Sequence, residues 1–277
     1  MSQSRLYFTN SGLFLSGGEA CLIDPGLFPE ELEAIAHFLA EQGAKPRAIV
    51  LTHSHWDHLL GPERFPGVRV ITQANFLKET SAGRAEDLLW QVGEWEEEYG
   101  LEREKPFVIP QPSRTFKRRL TLELGELRLQ LVHAPGHAAD HLVIYEPGSR
   151  TLWAGDMLSD LEIPFVSQSL EAYEKTLEML ATWEVRILVP GHGHPTASAE
   201  EIQSRLAEDR AYLAELRERV SQAVAQGLNV GETVRLCAEM AFRHREENLG
   251  PHRLNIESVY LELGGKADRT RVGWNRL

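Results

Sequence analysis

Four side chains of metal-ligating type fall within six residues in the string THSHWDHLLG (52–61): His53, His55, Asp57 and His58. The string follows the β-rich run RAIVLT (47–52). In an extended segment, side chains at i and i+2 point to one side, so His53 and His55 can converge on one ion. Where the chain then turns, Asp57 and His58 can be aimed at a neighbouring point. Imidazoles mixed with carboxylates suit a divalent metal such as zinc and leave positions open for water. Ordinary packing has no use for four such groups in so short a stretch.

Three later segments offer one ligand each. APGH presents His137, WAGD presents Asp156 and VPGHG presents His192, each after a strand-like run and beside a glycine that lets backbone approach closely. Singly, each would be a solvated loop histidine or a turn aspartate. Repeated at strand ends, where a site can be held with little reorganisation, they join HSHWDH as candidate ligands. His141 lies four residues after His137, and His194 two after His192. Both are candidates for orienting a ligand or touching substrate, with a surface or capping role as the alternative. His133 reads as structural. Trp56 reads as cleft lining or as a packing wedge.

The elements that must position these residues alternate along the chain. RLYF, LFLS and EACLID read as short strands separated by turn formers. Pro29 opens a helical pattern that closes at Gly43. Residues 84–100 form an acidic amphipathic segment. RLTLELGELRLQLVH alternates around Gly125 as a hairpin, and HLVIYEPGSRTLWAGD repeats the pattern around Pro147-Gly148. SLEAYEKTLEMLATW reads as a helix and VRILVP as a buried strand. From Ser198 to about residue 263 long helical patterns dominate, and GGKADRTRVGWNRL reads as a mobile tail. Trp90, Trp95, Tyr99 and Phe107 read first as core, with an apolar wall over the metals as the second reading.

Composition narrows the partners. The 277 residues are 42% hydrophobic and 25% charged, ordinary for a globular protein. Lys and Arg total 29 against 41 Asp and Glu, a formal net charge of −12 that repels phosphate backbones and disfavours nucleic-acid binding. The two cysteines, Cys21 and Cys237, exclude a disulfide framework and a four-thiolate zinc site. The first residues lack the apolar core of a secretion signal, and no apolar run approaches the roughly 18 residues of a membrane span. These features predict a cytoplasmic protein with a small-molecule substrate and no membrane partner. They say nothing of oligomeric state.

HSHWDH, the early LIDPG and the later PGH, GD and PGHG, in that order, resemble the metallo-β-lactamase superfamily over roughly residues 11–196. The resemblance implies an α/β fold, the αββα sandwich with its metals at one edge. Residues 1–197 would form the catalytic domain, and 198–277 a C-terminal helical region packed on it. It implies that His53, His55 and His137 hold one metal and that Asp57, His58 and His192 hold a second. Asp156 would bridge them, and Asp24 would support the geometry without ligating.

A binuclear metal-dependent hydrolase follows from that resemblance, with two divalent ions, zinc first and iron or manganese as alternatives. Two such ions keep a net positive charge beside two carboxylates and a hydroxide, which favours a substrate oxygen that becomes negative. Coordination lowers the pKa of bound water to roughly 7, so hydroxide is available at neutral pH to attack an ester, thioester or lactone. Asp57 or a metal-bound water would protonate the leaving group, which makes Asp57 the catalytic candidate.

Phosphodiester cleavage is the runner-up, because PGHAADH is also similar to lactamase-like endoribonucleases with a helical C-terminal part. Residues 198–264, however, lack a lysine-rich recognition helix. The basic cluster Arg114, Lys117, Arg118 and Arg119 reads as a solvated hairpin edge. Phosphotriester hydrolases share the same metal set. A mononuclear iron persulfide dioxygenase would use part of it. A binding module without turnover is the non-enzymatic rival, and the complete ligand set argues against it.

Overall fold

The computed structural model describes residues 1–103 and 105–266. Two sheets lie face to face. The first has the order β1 (Ser2–Gln3), β2 (Asn10–Ser16), β3 (Glu19–Ile23), β4 (Lys45–Val50), β5 (Arg69–Gln73) and β6 (Arg114–Phe116). β1 to β3 pair antiparallel, and β3 to β6 pair parallel. The second holds β7 (Arg119–Leu124), β8 (Leu127–His133), β9 (Leu142–Glu146), β10 (Thr151–Trp153) and β11 (Ile187–Val189), ordered β11-β10-β9-β8-β7. Only its β10–β11 pair is parallel.

The inner faces meet in one apolar layer. Cys21, Ile23, Val50 and Ile71 come from the first sheet, and Leu122, Leu131, Ile144 and Trp153 from the second. Helices α1 (Pro29–Glu41), α2 (Phe76–Glu79) and α3 (Ala82–Tyr99) lie on the first sheet's side. α1 contributes Leu32, Ile35 and Leu39 to the outer core there, and α3 contributes Leu88, Val92 and Trp95. Trp95 and Phe107 are buried in that layer with Tyr99 packed against it, while Trp90 is exposed. Strands covered on both faces are apolar at successive positions, as the CLI of β3 and the AIV of β4 are.

α4 (Leu170–Ala181), α5 (Ala199–Ala225), α6 (Val230–Leu236) and α7 (Leu249–Glu262) cover the second sheet. Val143, Leu152 and Leu188 of that sheet share one core with Leu177, Leu213, Leu216, Ile256 and Val259. The layers are therefore αββα, with the C-terminal helices inside the second outer layer. Among the described residues no helix is long and apolar enough to cross a membrane. Of the tail expected at 264–277, residues 267–277 lie outside the described residues.

One expected strand is absent. RLYF forms a turn, with Tyr7 and Phe8 in the left-handed region at φ 53° and 50°. Ser4 N donates to Thr9 O at 2.8 Å and Thr9 Oγ1 to Leu6 O at 2.9 Å. Local bonds to these two polar residues outcompete the β preference of the apolar stretch between them.

The helical layer contains a directional hydrogen-bond chain. Asn255 Nδ2 donates to Tyr212 Oη at 2.9 Å, Tyr212 Oη donates to His252 Nδ1 at 2.9 Å, and His252 Nε2 donates to Cys237 O at 3.2 Å. This chain requires a neutral imidazole, and burial holds the His252 pKa below its ordinary value. The unfolded chain accepts a proton that the folded chain refuses, so stability falls as pH drops below about 6.5. His252→Gln should flatten that acid loss by up to about 1.4 kcal/mol per pH unit. Urea melts of both chains at neutral and mildly acidic pH check this, and identical slopes would contradict it.

Candidate metal centre

The sheet register delivers the candidate residues to one edge. Ile23 pairs with Val50, so Asp24 and the segment 51–53 leave β3 and β4 side by side. Thr52 O accepts from Leu142 N at 2.9 Å, tying this edge to the second sheet. Trp153 pairs with Val189, so Asp156 and His192 leave neighbouring parallel strands, while His137 follows β8. Asn10 N donates to Gly191 O and Gly191 N to Gly155 O, both at 2.6 Å, which locks the PGHG and WAGD loops together.

All seven candidate ligands meet there. His53, His55, His137 and Asp156 form one group and Asp57, His58 and His192 another, the ligand-type atoms of each lying within 4.8 Å of one another. Asp156 touches both groups. Its Oδ2 is 3.3 Å from Nε2 of His53 and of His137 and 3.2 Å from Nε2 of His192, and its Oδ1 is 3.3 Å from His58 Nε2. Asp57 Oδ2 lies 3.4 Å from His58 Nε2 and 3.3 Å from His192 Nε2.

The outward nitrogens explain which atoms face inward. Thr52 Oγ1 donates to Asp24 Oδ2 at 2.6 Å and so accepts from His53 Nδ1 at 3.1 Å. His58 Nδ1 meets Asp24 Oδ2 at 3.1 Å, His137 Nδ1 donates to Phe165 O at 3.0 Å and His192 Nδ1 to Tyr7 O at 3.1 Å. Four rings thus give their Nδ1 proton to an outer acceptor and turn Nε2 to the cluster. His137 Nε2 then faces His53 Nε2 at 3.2 Å and His55 Nδ1 at 3.0 Å. Ring nitrogens this close crowd one another, an arrangement that a shared cation relieves. His58 Nε2 and Asp156 Oδ1 are buried without a hydrogen-bond partner. This donor set fits divalent metals.

Charge tells the same story. Burial holds His53 well below the ordinary imidazole range, and burial with repulsion from His137 brings His55 to about 3. Burial opposes protonation of His58 too, yet Asp156, Asp57 and Asp24 together hold it well above 6.5. His192 is likewise held up against burial, by Glu162 and Asp156. Burial would raise Asp57, but His58 and His192 bring it to about 2. The carboxylates thus favour positive charge at His58 and His192, a place that cations can fill.

The other candidates have distinct places. Asp24, at φ 40°, accepts from Thr52 N at 2.8 Å as well as from Thr52 Oγ1 and supports His58 from behind. His141 donates from Nδ1 to Ala134 O at 2.9 Å and accepts at Nε2 from Asp156 N at 3.1 Å, so it fixes backbone rather than joining the cluster. His194 is exposed and pairs with Asp160 at 2.8 Å. Trp56 packs on Trp95, ring centroids 5.7 Å apart.

Tyr7, Glu162 and Phe165 also contribute to the site. Tyr7 supplies a carbonyl to His192, and its ring lies edge-on to that histidine. Phe165 supplies a carbonyl to His137, and its ring lies tilted against that histidine at 5.9 Å between centroids. Burial pushes the Glu162 carboxyl up, His192 opposes, and Asp156 and Asp57 add to the rise. None of the three lies in a motif, and their contacts are made only by the fold. Asp24→Ala should weaken metal binding about 10- to 100-fold, the usual effect of removing a group that orients a ligand. Chelator competition on the purified variant checks this, and unchanged affinity would contradict it.

The family description "Metallo-beta-lactamase superfamily" matches residues 4–192, and the chain belongs to that superfamily. It is a hydrolase of the superfamily. Beta-lactamase-like protein 2 homolog of Drosophila melanogaster is 25% identical over 273 residues, covering 96% of this chain and 86% of that one. Atrochrysone carboxyl ACP thioesterase of Aspergillus chevalieri is 26% identical over 238 residues, covering 83% and 68%. Among solved structures, the stereoselective inverting sec-alkylsulfatase of Pseudomonas sp. matches in fold with a TM-score of 0.69 at 18% identity, over 95% of this chain. The chain spans about half the length of that enzyme, 48%.

Proposed function

We propose that the chain is a binuclear metal-dependent hydrolase of ester, thioester or lactone bonds. His53, His55 and His137 would hold one ion and Asp57, His58 and His192 the other, with Asp156 shared and zinc the first choice of metal. The observation that carries this reading is the set of four rings that give Nδ1 outward and turn Nε2 toward two carboxylates. The thioesterase likeness supports a carbonyl substrate. We also assign residues 1–197 to the catalytic domain and 198–277 to a helical region packed on it.

When bound, the ions supply Lewis acidity, making water a better nucleophile and stabilising an oxyanion. The chain's own residues then fix geometry and move protons. Thr52, Asp24, Phe165 and Tyr7 hold the imidazoles in one tautomer, and His141 pins the backbone of Asp156. Asp57 is ionised at neutral pH, so it takes a proton before it can pass one to a leaving group.

A hydrolysis panel on zinc-loaded protein, with and without chelator, tests the proposal. It sets a thioester, a lactone, an aryl ester, a phosphotriester, a phosphodiester and an alkyl sulfate side by side. Chelator-sensitive cleavage of a carbonyl substrate is the expected result. Cleavage confined to the phosphorus or sulfur esters would overturn the substrate class, and turnover unaffected by chelator would overturn the mechanism.

A further inference from the structure

The loop from Met157 to Ser169 joins Asp156 to α4, and side chains of the C-terminal helices and the loop between α6 and α7 hold much of its backbone. Arg205 donates to Leu158 O at 3.3 Å, and Arg243 donates to Ser159 O. Asn248 Nδ2 donates to Leu161 O at 2.9 Å, while its Oδ1 accepts from Ile163 N at 3.3 Å. Asn255, fully buried in α7, grips the next stretch. Its Oδ1 accepts from Val166 N and its Nδ2 donates to Pro164 O, both at 2.7 Å. The second Nδ2 proton goes to Tyr212 Oη, so the amide has one orientation that satisfies every partner.

The residue between those two grips is Phe165, whose carbonyl takes the Nδ1 proton of His137. A carbonyl held from both sides by one rigid amide cannot swing, and the ring it orients cannot swing either. We propose that Asn255 is a positioning residue for the metal centre, setting the Phe165 carbonyl and through it the direction of the His137 ring. The proposal rests on the reading of His137 as a ligand. It gives the helical region a task at the centre, since its residue 255 lies 118 positions from His137 in sequence.

The test is Co²⁺ titration of the full chain against a competing chelator, read by visible absorption, for wild type, Asn255→Leu, Asn255→Asp and Asn248→Leu. Thermal unfolding of each metal-free chain is measured alongside. In both Asn255 variants the ion shared by His53, His55 and His137 should bind about 10- to 100-fold more weakly, with a changed absorption band, and the other ion should change far less. Asn248→Leu takes bonds from the same loop without touching the neighbours of Phe165, so it should lower the melting temperature without that split.

Asn255 variants that fold and bind both ions as wild type does would overturn the proposal. So would equal weakening of both ions in all three variants, which would mean general loosening. If Asn255→Leu does not fold, Asn255→Asp decides, since it keeps the shape and the acceptor for Val166 N. Wild type that binds no Co²⁺ would instead overturn the metal reading itself.

Discussion

Asp156→Asn should lower metal-dependent turnover by about a thousandfold or more while leaving the fold intact. One carboxylate oxygen lies within 3.3 Å of three imidazole nitrogens, and the other is 3.3 Å from a fourth. The two oxygens of Asp156 thus reach imidazoles of both ligand groups. The amide keeps the volume but loses the charge, and its NH₂ points a donor where a cation is needed. Bound metal should therefore fall together with rate. Metal content and turnover on the purified variant, with circular dichroism to certify folding, measure both. Wild-type turnover in a folded variant would remove Asp156 from the centre.

Gly136→Ala should cost about 3 kcal/mol or more of stability, or prevent folding altogether. Gly136 has φ 132°, a backbone conformation that L side chains rarely adopt. A β-carbon there would lie 2.3 Å from Tyr173 Cα and 2.5 Å from Tyr173 N. Those are backbone atoms of α4, so no rotamer change relieves the clash. Gly136 O also accepts from Gln168 N and Ser169 N, both at 3.3 Å, which seats the turn before His137 on the start of α4. Denaturant melts of the metal-free chain should show the loss, and a variant within 0.5 kcal/mol or so of wild type would contradict the crowding. The glycine beside His137 is therefore fixed by packing as well as by the turn.

How much of this was legible in the sequence depended on the range of the interaction. HSHWDH was legible because dense polar ligands after an apolar strand have no packing role. His137, Asp156 and His192 were legible because each stands beside a glycine at a strand end. The hairpin around Gly125 and the helices after Ser198 were legible from period alone. RLYF was misread because apolar composition resembles a strand, whereas Ser4 and Thr9 close a turn that brings the Tyr7 carbonyl to His192. β5 and β6 passed unnoticed, being short and separated by α2 and α3. Asn255 could not be found at all from sequence, because its contacts to Pro164 and Val166 exist only once α7 has packed.

The most direct measurement is turnover of a thioester followed while the metal-free chain is titrated with zinc, with bound metal counted at every step. A centre built as described reaches full activity at two ions per chain and loses it to chelator. Full activity without metal, or with one ion and no further gain, would contradict a binuclear hydrolytic centre.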